Sequence, residues 1–204
     1  MQNQFRIIGG AWRSRRFTFP DVPGLRPSPD RVRETVFNWL APVIDGARCI
    51  DLFAGSGALG FEAASRGAAE VVLVERDAGL AANLRTQAAR LHAGNVHVHH
   101  ADALAWLRAA GGPPFDIVFL DPPFDAGLWE PAAALLGPWL APGARVYVES
   151  PAGRAPALPP GWHRHRAGAT RDVEYALFRT GDGPPRDAAD TLPPGPSPQG
   201  DPPA

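Results

Sequence analysis

The chain has no lysine, one cysteine, one methionine and two tyrosines in 204 residues. A single cysteine excludes an internal disulfide and a thiolate metal cluster. Cys49 lies within an apolar stretch and reads as a small core residue. No apolar run is long enough to span a bilayer, so no membrane partner is expected. The opening Met1-Gln2-Asn3-Gln4-Phe5-Arg6 has no apolar h-region, which predicts no signal peptide and a cytoplasmic location. The hydrophobic content of 45% suits one soluble domain with a full core.

All 20 basic residues are arginine. With abundant Ala, Pro and Gly, this usage fits a GC-rich genome. The net charge of −1 conceals an asymmetry. Residues 1–33 carry Arg6, Arg13, Arg15, Arg16, Arg26, Arg31 and Arg33 against Asp21 and Asp30. Residues after Thr180 carry Asp182, Asp187, Asp190 and Asp201 against Arg186. An arginine-rich arm on a near-neutral protein fits a nucleic acid partner as well as it fits a solvated basic face.

Three pieces follow along the chain. Residues 1–40 form an arm. In it Phe5–Ile8 and Trp12–Phe19 could pair as a hairpin across Gly9-Gly10. Ser28-Pro29 reads as an N-cap followed by proline at the first helical position. The next helix places Val32, Val36 and Leu40 on one face. Residues 41–180 alternate strand and helix. The strands are expected at 48–53, 70–75, 95–99, 116–121 and 145–150, and the helices at 58–66, 78–92, 103–109 and 128–136. Short apolar strands separated by helices imply a parallel sheet covered on both faces. Segments 162–167 and 173–178 add an antiparallel pair at one edge. Residues 181–204 are Gly, Pro, Asp and Ser with little to bury, which predicts a disordered tail.

Asp51-Leu52-Phe53-Ala54-Gly55-Ser56-Gly57-Ala58-Leu59-Gly60 is a strand running into a glycine turn and a helix. Gly55-x-Gly57-x-x-Gly60, with Glu75 on the next strand end, matches the dinucleotide fingerprint. Three features argue against a nicotinamide enzyme. Asp51 lies inside the strand, where a pyrophosphate gains nothing from a carboxylate but an amino-acid ammonium on a sulfonium ligand does. Asp102 adds an acidic group at the same sheet edge, suited to an adenine amine. Nothing resembles a hydride-transfer site. Gly55, Gly57, Glu75 and Asp102 all fall at strand ends, where open sheets bind ligands.

Asp121-Pro122-Pro123-Phe124 follows another apolar strand. The exocyclic amine of a base is a poor nucleophile, because its lone pair is delocalised. Asp121 and the Pro122 carbonyl can each accept one N–H and aim that lone pair. Prolines keep the carbonyl rigid, and Phe124 can stack on the base. A paired base would have to be flipped out. The histidines 97, 99, 100, 163 and 165 show no metal-ligand spacing, and no metal is expected.

The glycine motif resembles motif I of the class I S-adenosylmethionine-dependent methyltransferases. The resemblance implies a Rossmann-like α/β fold with a mostly parallel seven-stranded sheet and an antiparallel edge. It implies a cofactor site of Asp51, Phe53, Gly55, Ser56, Gly57, Glu75, Arg76, Asp102, Ala103 and Asp121, with Glu75 on the ribose and Asp102 and Ala103 at the adenine. Asp-Pro-Pro-Phe is similar to the (Asn/Asp)-Pro-Pro-(Tyr/Phe) motif of nucleobase amino-methyltransferases, which makes Asp121, Pro122 and Phe124 catalytic. Carbon methylation of pyrimidines, which needs a cysteine nucleophile, is set aside on the placement of Cys49.

The narrowest resemblance joins four segments. They are Arg6-Ile7-Ile8-Gly9-Gly10, Arg26-Pro27 with Asp30-Arg31-Val32-Arg33-Glu34, motif I and Asp-Pro-Pro-Phe. In this order they resemble the bacterial 16S ribosomal RNA guanine-N2 methyltransferase family, RsmD, over about residues 5–180. The family implies methylation of guanine 966 of 16S rRNA. An assembling small subunit is the expected partner, with naked RNA the alternative the sequence leaves open, and a monomer is expected. Arg13, Arg15, Arg16, Arg26, Arg31 and Arg33 would then meet RNA phosphates. Ser28-Pro29 stands where the family has two threonines. A DNA adenine-N6 methyltransferase and a non-catalytic RNA-binding module remain as rival readings.

Overall fold

The computed structural model describes residues 3–22, 25, 27–109 and 111–181. Arg26 and nearly all of the expected tail lie outside the described residues. The chain opens with two short strands, β1 (Asn3–Arg6) and β2 (Arg16–Phe19), which pair antiparallel as a separate sheet. Helix α1 (Asp30–Leu40) follows. Then strands and helices alternate: β3 (Arg48–Asp51), α2 (Ala58–Ser65), β4 (Glu70–Glu75), α3 (Ala78–Arg90), β5 (Val96–His100), α4 (Ala103–Ala109), β6 (Phe115–Leu120) and α5 (Trp129–Leu136). Three strands close the order: β7 (Leu140–Pro151), β8 (Trp162–Ala169) and β9 (Val173–Thr180).

The main sheet has seven strands in the order β5-β4-β3-β6-β7-β9-β8. Strands β3 to β7 run parallel, and β9 runs antiparallel between β7 and β8. Val71–Glu75 and Ile117–Leu120 are buried continuously, as strands covered on both faces must be. The order reverses between β3 and β6. That reversal opens a crevice beyond the strand ends, with Asp51 on one side and Asp121 on the other.

The hairpin differs from the sequence expectation. Its strands are not joined at Gly9-Gly10. Arg6 pairs with Arg16, and a nine-residue connection separates them. This connection lies on α2. Gly10 has φ of +76°, and a Cβ there would strike the Ser65 carbonyl. The glycine thus permits close packing on α2. Phe5 stacks on Phe17 at 5.0 Å, and Phe17 meets Phe61 of α2 at 5.0 Å. Each such pair adds about 0.5–1.5 kcal/mol beyond its buried area. The arm therefore shares one core cluster with Phe61, Leu73 and Leu84.

The start of α1 also departs from expectation. Pro29, not Ser28, holds the N-cap position, and no side chain caps the helix. Val32, Val36 and Leu40 are buried as the four-residue spacing requires. Among the described residues, no helix is long and apolar enough to cross a membrane.

Candidate active site

The glycine turn joins β3 to α2. Gly55 and Gly57 have φ of +50° and +83°, a region that side chains with a Cβ disfavour. A Cβ on Gly57 would meet Leu84 and Phe61, and one on Gly60 would meet Leu73. The last glycine thus sets the approach of α2 to β4. Leu25 of the arm lies over the turn, at the point a Gly55 Cβ would reach.

Glu75 ends β4 and is 7% exposed. Its carboxylate accepts the Gly55 N–H at 2.8 Å and the Asp77 N–H at 2.7 Å. One residue therefore fixes both the turn and the start of α3. Asp51 is buried beneath the turn. Burial pushes its carboxyl up to about 7, helped by the charge of Glu75 and opposed by backbone N–H bonds from Phe53 and Gly60. Asp102 caps α4, accepting the Ala105 N–H at 2.9 Å, and is exposed. Arg76 is exposed, and its carbonyl lies 3.1 Å from the His100 ring. Phe53 is half-buried, while Ser56 and Ala103 are buried.

Across the crevice, Asp121 follows β6. Burial, then Glu149, then Asp51 raise its carboxyl well above the usual range. Pro122 is buried and Pro123 is exposed. A turn closes behind them, with the Ala126 N–H on the Pro123 carbonyl at 3.0 Å. Phe124 leans on Trp129 at 6.1 Å. At 37% exposure it is the one exposed large hydrophobic side chain among the described residues. The apolar ring thus stands in water three residues after the half-buried Asp121.

The structure divides the arm's arginines. Arg13, Arg15, Arg16 and Arg31 are exposed. Arg33 is not an RNA contact, because its side chain is fully buried. Its guanidinium bonds Asp30 at 2.6 Å, the Arg6 carbonyl at 2.9 Å and the Ser28 carbonyl at 3.1 Å. It also pairs with Glu62 at 3.5 Å. Burial lowers its pKa, against the pull of Asp30 and Glu62.

Several residues escaped the sequence reading. Glu62 is fully buried, accepts the N–H groups of Ile8 and Gly9 at 2.8 Å each, and pairs with Arg66 at 2.7 Å. Its signal was there to read: a lone carboxylate in the apolar helix Ala-Leu-Gly-Phe-Glu-Ala-Ala-Ser. Glu149, Tyr147 and Ser28 form a buried group behind Asp121. Burial of Cys49 raises its thiol strongly, which leaves it an inert core residue. No set of three His, Cys, Asp or Glu side chains among the described residues is arranged to hold a metal ion.

A glycine turn at the switch point, with acidic residues ending β3 and β4 and a proline-aromatic loop after β6, defines a class I methyltransferase architecture. The chain belongs to the RsmD family, whose family model, described as Conserved hypothetical protein 95, matches residues 5–179. The chain is similar to Ribosomal RNA small subunit methyltransferase D of Escherichia coli K12. The two are 50% identical over 179 residues, covering 86% of this chain and 90% of that protein. The protein of that name from Haemophilus influenzae is 40% identical over 183 residues, covering 87% and 95%. The solved structure of yhhF from Escherichia coli superposes with a TM-score of 0.81 at 48% identity, covering 87% of this chain and 98% of that one.

Proposed function

We propose that this protein transfers a methyl group from S-adenosylmethionine to the exocyclic N2 of the family's target guanine in 16S rRNA. It would act as a cytoplasmic monomer on an assembling small subunit. The observation that carries the reading is a half-buried Asp121 three residues before an exposed Phe124 at the switch point. Two relatives carry the name Ribosomal RNA small subunit methyltransferase D.

The donor set suits the cofactor. Gly55 and Gly57 let the backbone come close, Asp51 suits the ammonium, Glu75 the ribose and Asp102 the adenine. Bound there, S-adenosylmethionine supplies an electrophilic methyl group on a positively charged sulfur. Asp121 and the Pro122 carbonyl each accept one N–H of the guanine amine and point its lone pair across the crevice. Phe124 stacks on the base, a contact worth ~1–3 kcal/mol elsewhere. The gain is chiefly orientation.

Calorimetry tests the cofactor. The protein is expected to bind S-adenosylmethionine and not NAD, and Glu75→Ala to weaken binding at least tenfold. Charged hydrogen bonds of this kind contribute ~1.5–3 kcal/mol. Tight NAD binding without binding of the methyl donor would overturn the reading.

Arg13, Arg15, Arg16 and Arg31 carry the RNA affinity. Neutralising Arg13, Arg15 and Arg16 together should flatten the dependence of log affinity on log salt by about 2–3, at roughly 0.7–0.9 per phosphate. An unchanged slope would remove these side chains from the interface. Point variants suit this test better than deletion of the arm, which would uncover Phe61.

A further inference from the structure

A second carboxyl stands beside Asp121 and has no role in the reading above. Glu149, on β7, is 5% exposed. Leu120 pairs with Val148, so Asp121 and Glu149 come next on neighbouring chains about 4.8 Å apart. Phe119 and Tyr147 form the preceding pair, and Asp51 pairs with Phe119 from the other side. Side chains alternate along strands, which puts Asp51, Asp121, Tyr147 and Glu149 on one face. Two hydroxyls converge on one oxygen of Glu149. Tyr147 donates to Oε2 at 2.5 Å and Ser28 at 2.9 Å. Ser28 arrives from the arm, held by Arg33 on its carbonyl. Trp129 donates to the Glu149 carbonyl at 2.8 Å and so ties the loop of Phe124 to the same residue. Tyr175 on β9 is its antiparallel partner. The groups facing Glu149 are thus Asp121, Asp51, Tyr147, Tyr175 and Ser28.

Two carboxylates this close, one buried and one half-buried, do not both ionise readily. The two donated hydroxyls favour the charge on Glu149 and leave the proton to Asp121. Burial lifts both groups, while the Tyr147 and Ser28 bonds pull Glu149 back down.

We propose that Glu149, held by Ser28 and Tyr147, is a positioning residue that keeps Asp121 protonated until a cationic methyl donor is in place. This rests on the cofactor reading above. Beside the sulfonium charge, Asp121 gives its proton to solvent and becomes a pure acceptor for the amine. During transfer the carbon–sulfur bond breaks with its electron pair left on sulfur, and the nitrogen–carbon bond forms. The surplus amine proton passes to the Asp121 carboxylate. Sulfur is then neutral, and the carboxyl pair is back in its starting state. The arm takes part through one hydroxyl. The serine at position 28 serves Glu149 and not the helix end.

Proton release on binding tests this without relying on activity. Calorimetry at pH 7 in buffers of different ionisation heat counts the protons released by S-adenosylmethionine and by S-adenosylhomocysteine. The two differ in the sulfonium charge, so the contribution of Asp51 to ammonium binding cancels in the difference. The parent should release close to one proton more with S-adenosylmethionine. Glu149→Gln should cut that difference at least by half, because Asp121 is then already ionised. Ser28→Ala should also reduce it, because a less firmly held Glu149 keeps the proton that Asp121 gives up. Ser28→Thr should retain it. In single turnover, the acid limb for Glu149→Gln should move down by about one pH unit, a shift that a merely structural role would not produce. Equal proton counts for the two ligands in the parent would overturn the proposal alone. Failure of both ligands to bind would overturn the cofactor reading and the proposal together.

Discussion

Replacing Asp121 by alanine lowers the single-turnover rate of methyl transfer about 10²-fold or more, with cofactor and RNA saturating. Loss of aim alone accounts for a change of that size. Saturation separates chemistry from binding. Asp121→Asn keeps an acceptor oxygen and is expected to lose less than the alanine variant. Phe124→Tyr keeps the stacking face and is expected to stay near the parent, whereas Phe124→Ala is not. Phe124 is exposed and the loop lies beyond the C-terminal end of β6, so these variants should melt close to the parent. A parent-like rate for Asp121→Ala would mean that the loop is not the catalytic centre, and a non-catalytic RNA-binding module would then be preferred.

The second large effect falls on stability. Glu62→Ala removes the acceptor for two backbone N–H groups and leaves Arg33 buried without one of its charges. Breaking a buried pair from one side costs about 3–5 kcal/mol, which in a chain of this size lowers Tm by roughly 6–20 °C. Asp30→Asn is the control. Asp30 is half exposed, at 49% of its side chain, and asparagine keeps an acceptor oxygen for Arg33, so this variant should cost less than Glu62→Ala. Thermal melts of the two variants decide the matter. If Glu62→Ala melts with the parent, the arm is not anchored through this residue.

The two chemical motifs were readable because each is local. Gly55, Gly57 and Gly60 answer to backbone angle and close approach, and Asp121 to Phe124 form one continuous loop. Periodicity placed the five parallel strands and five helices within a few residues of where they lie. What the sequence concealed depends on contacts over long separations. Arg33 reads as one more basic residue in a basic arm. Only the fold shows that Glu62 waits beneath it. Gly9-Gly10 has the look of a tight hairpin turn, yet its neighbours are needed for α2, and the connection widens to reach it. Ser28 has the right type and place for a helix cap, but a buried carboxylate 121 residues away takes its hydroxyl. Glu149 ends an apolar strand run and carries no motif. Its weight comes from register alone, which sets it beside Asp121.

The central claim is tested most directly by mass spectrometry of small-subunit rRNA from cells lacking this gene. The account predicts that one N2-methylguanine disappears. It should return when the parent gene is restored, and not when the Asp121→Ala form is supplied at equal abundance. An unchanged methylation pattern in the deletion strain, or full restoration by Asp121→Ala, would contradict it.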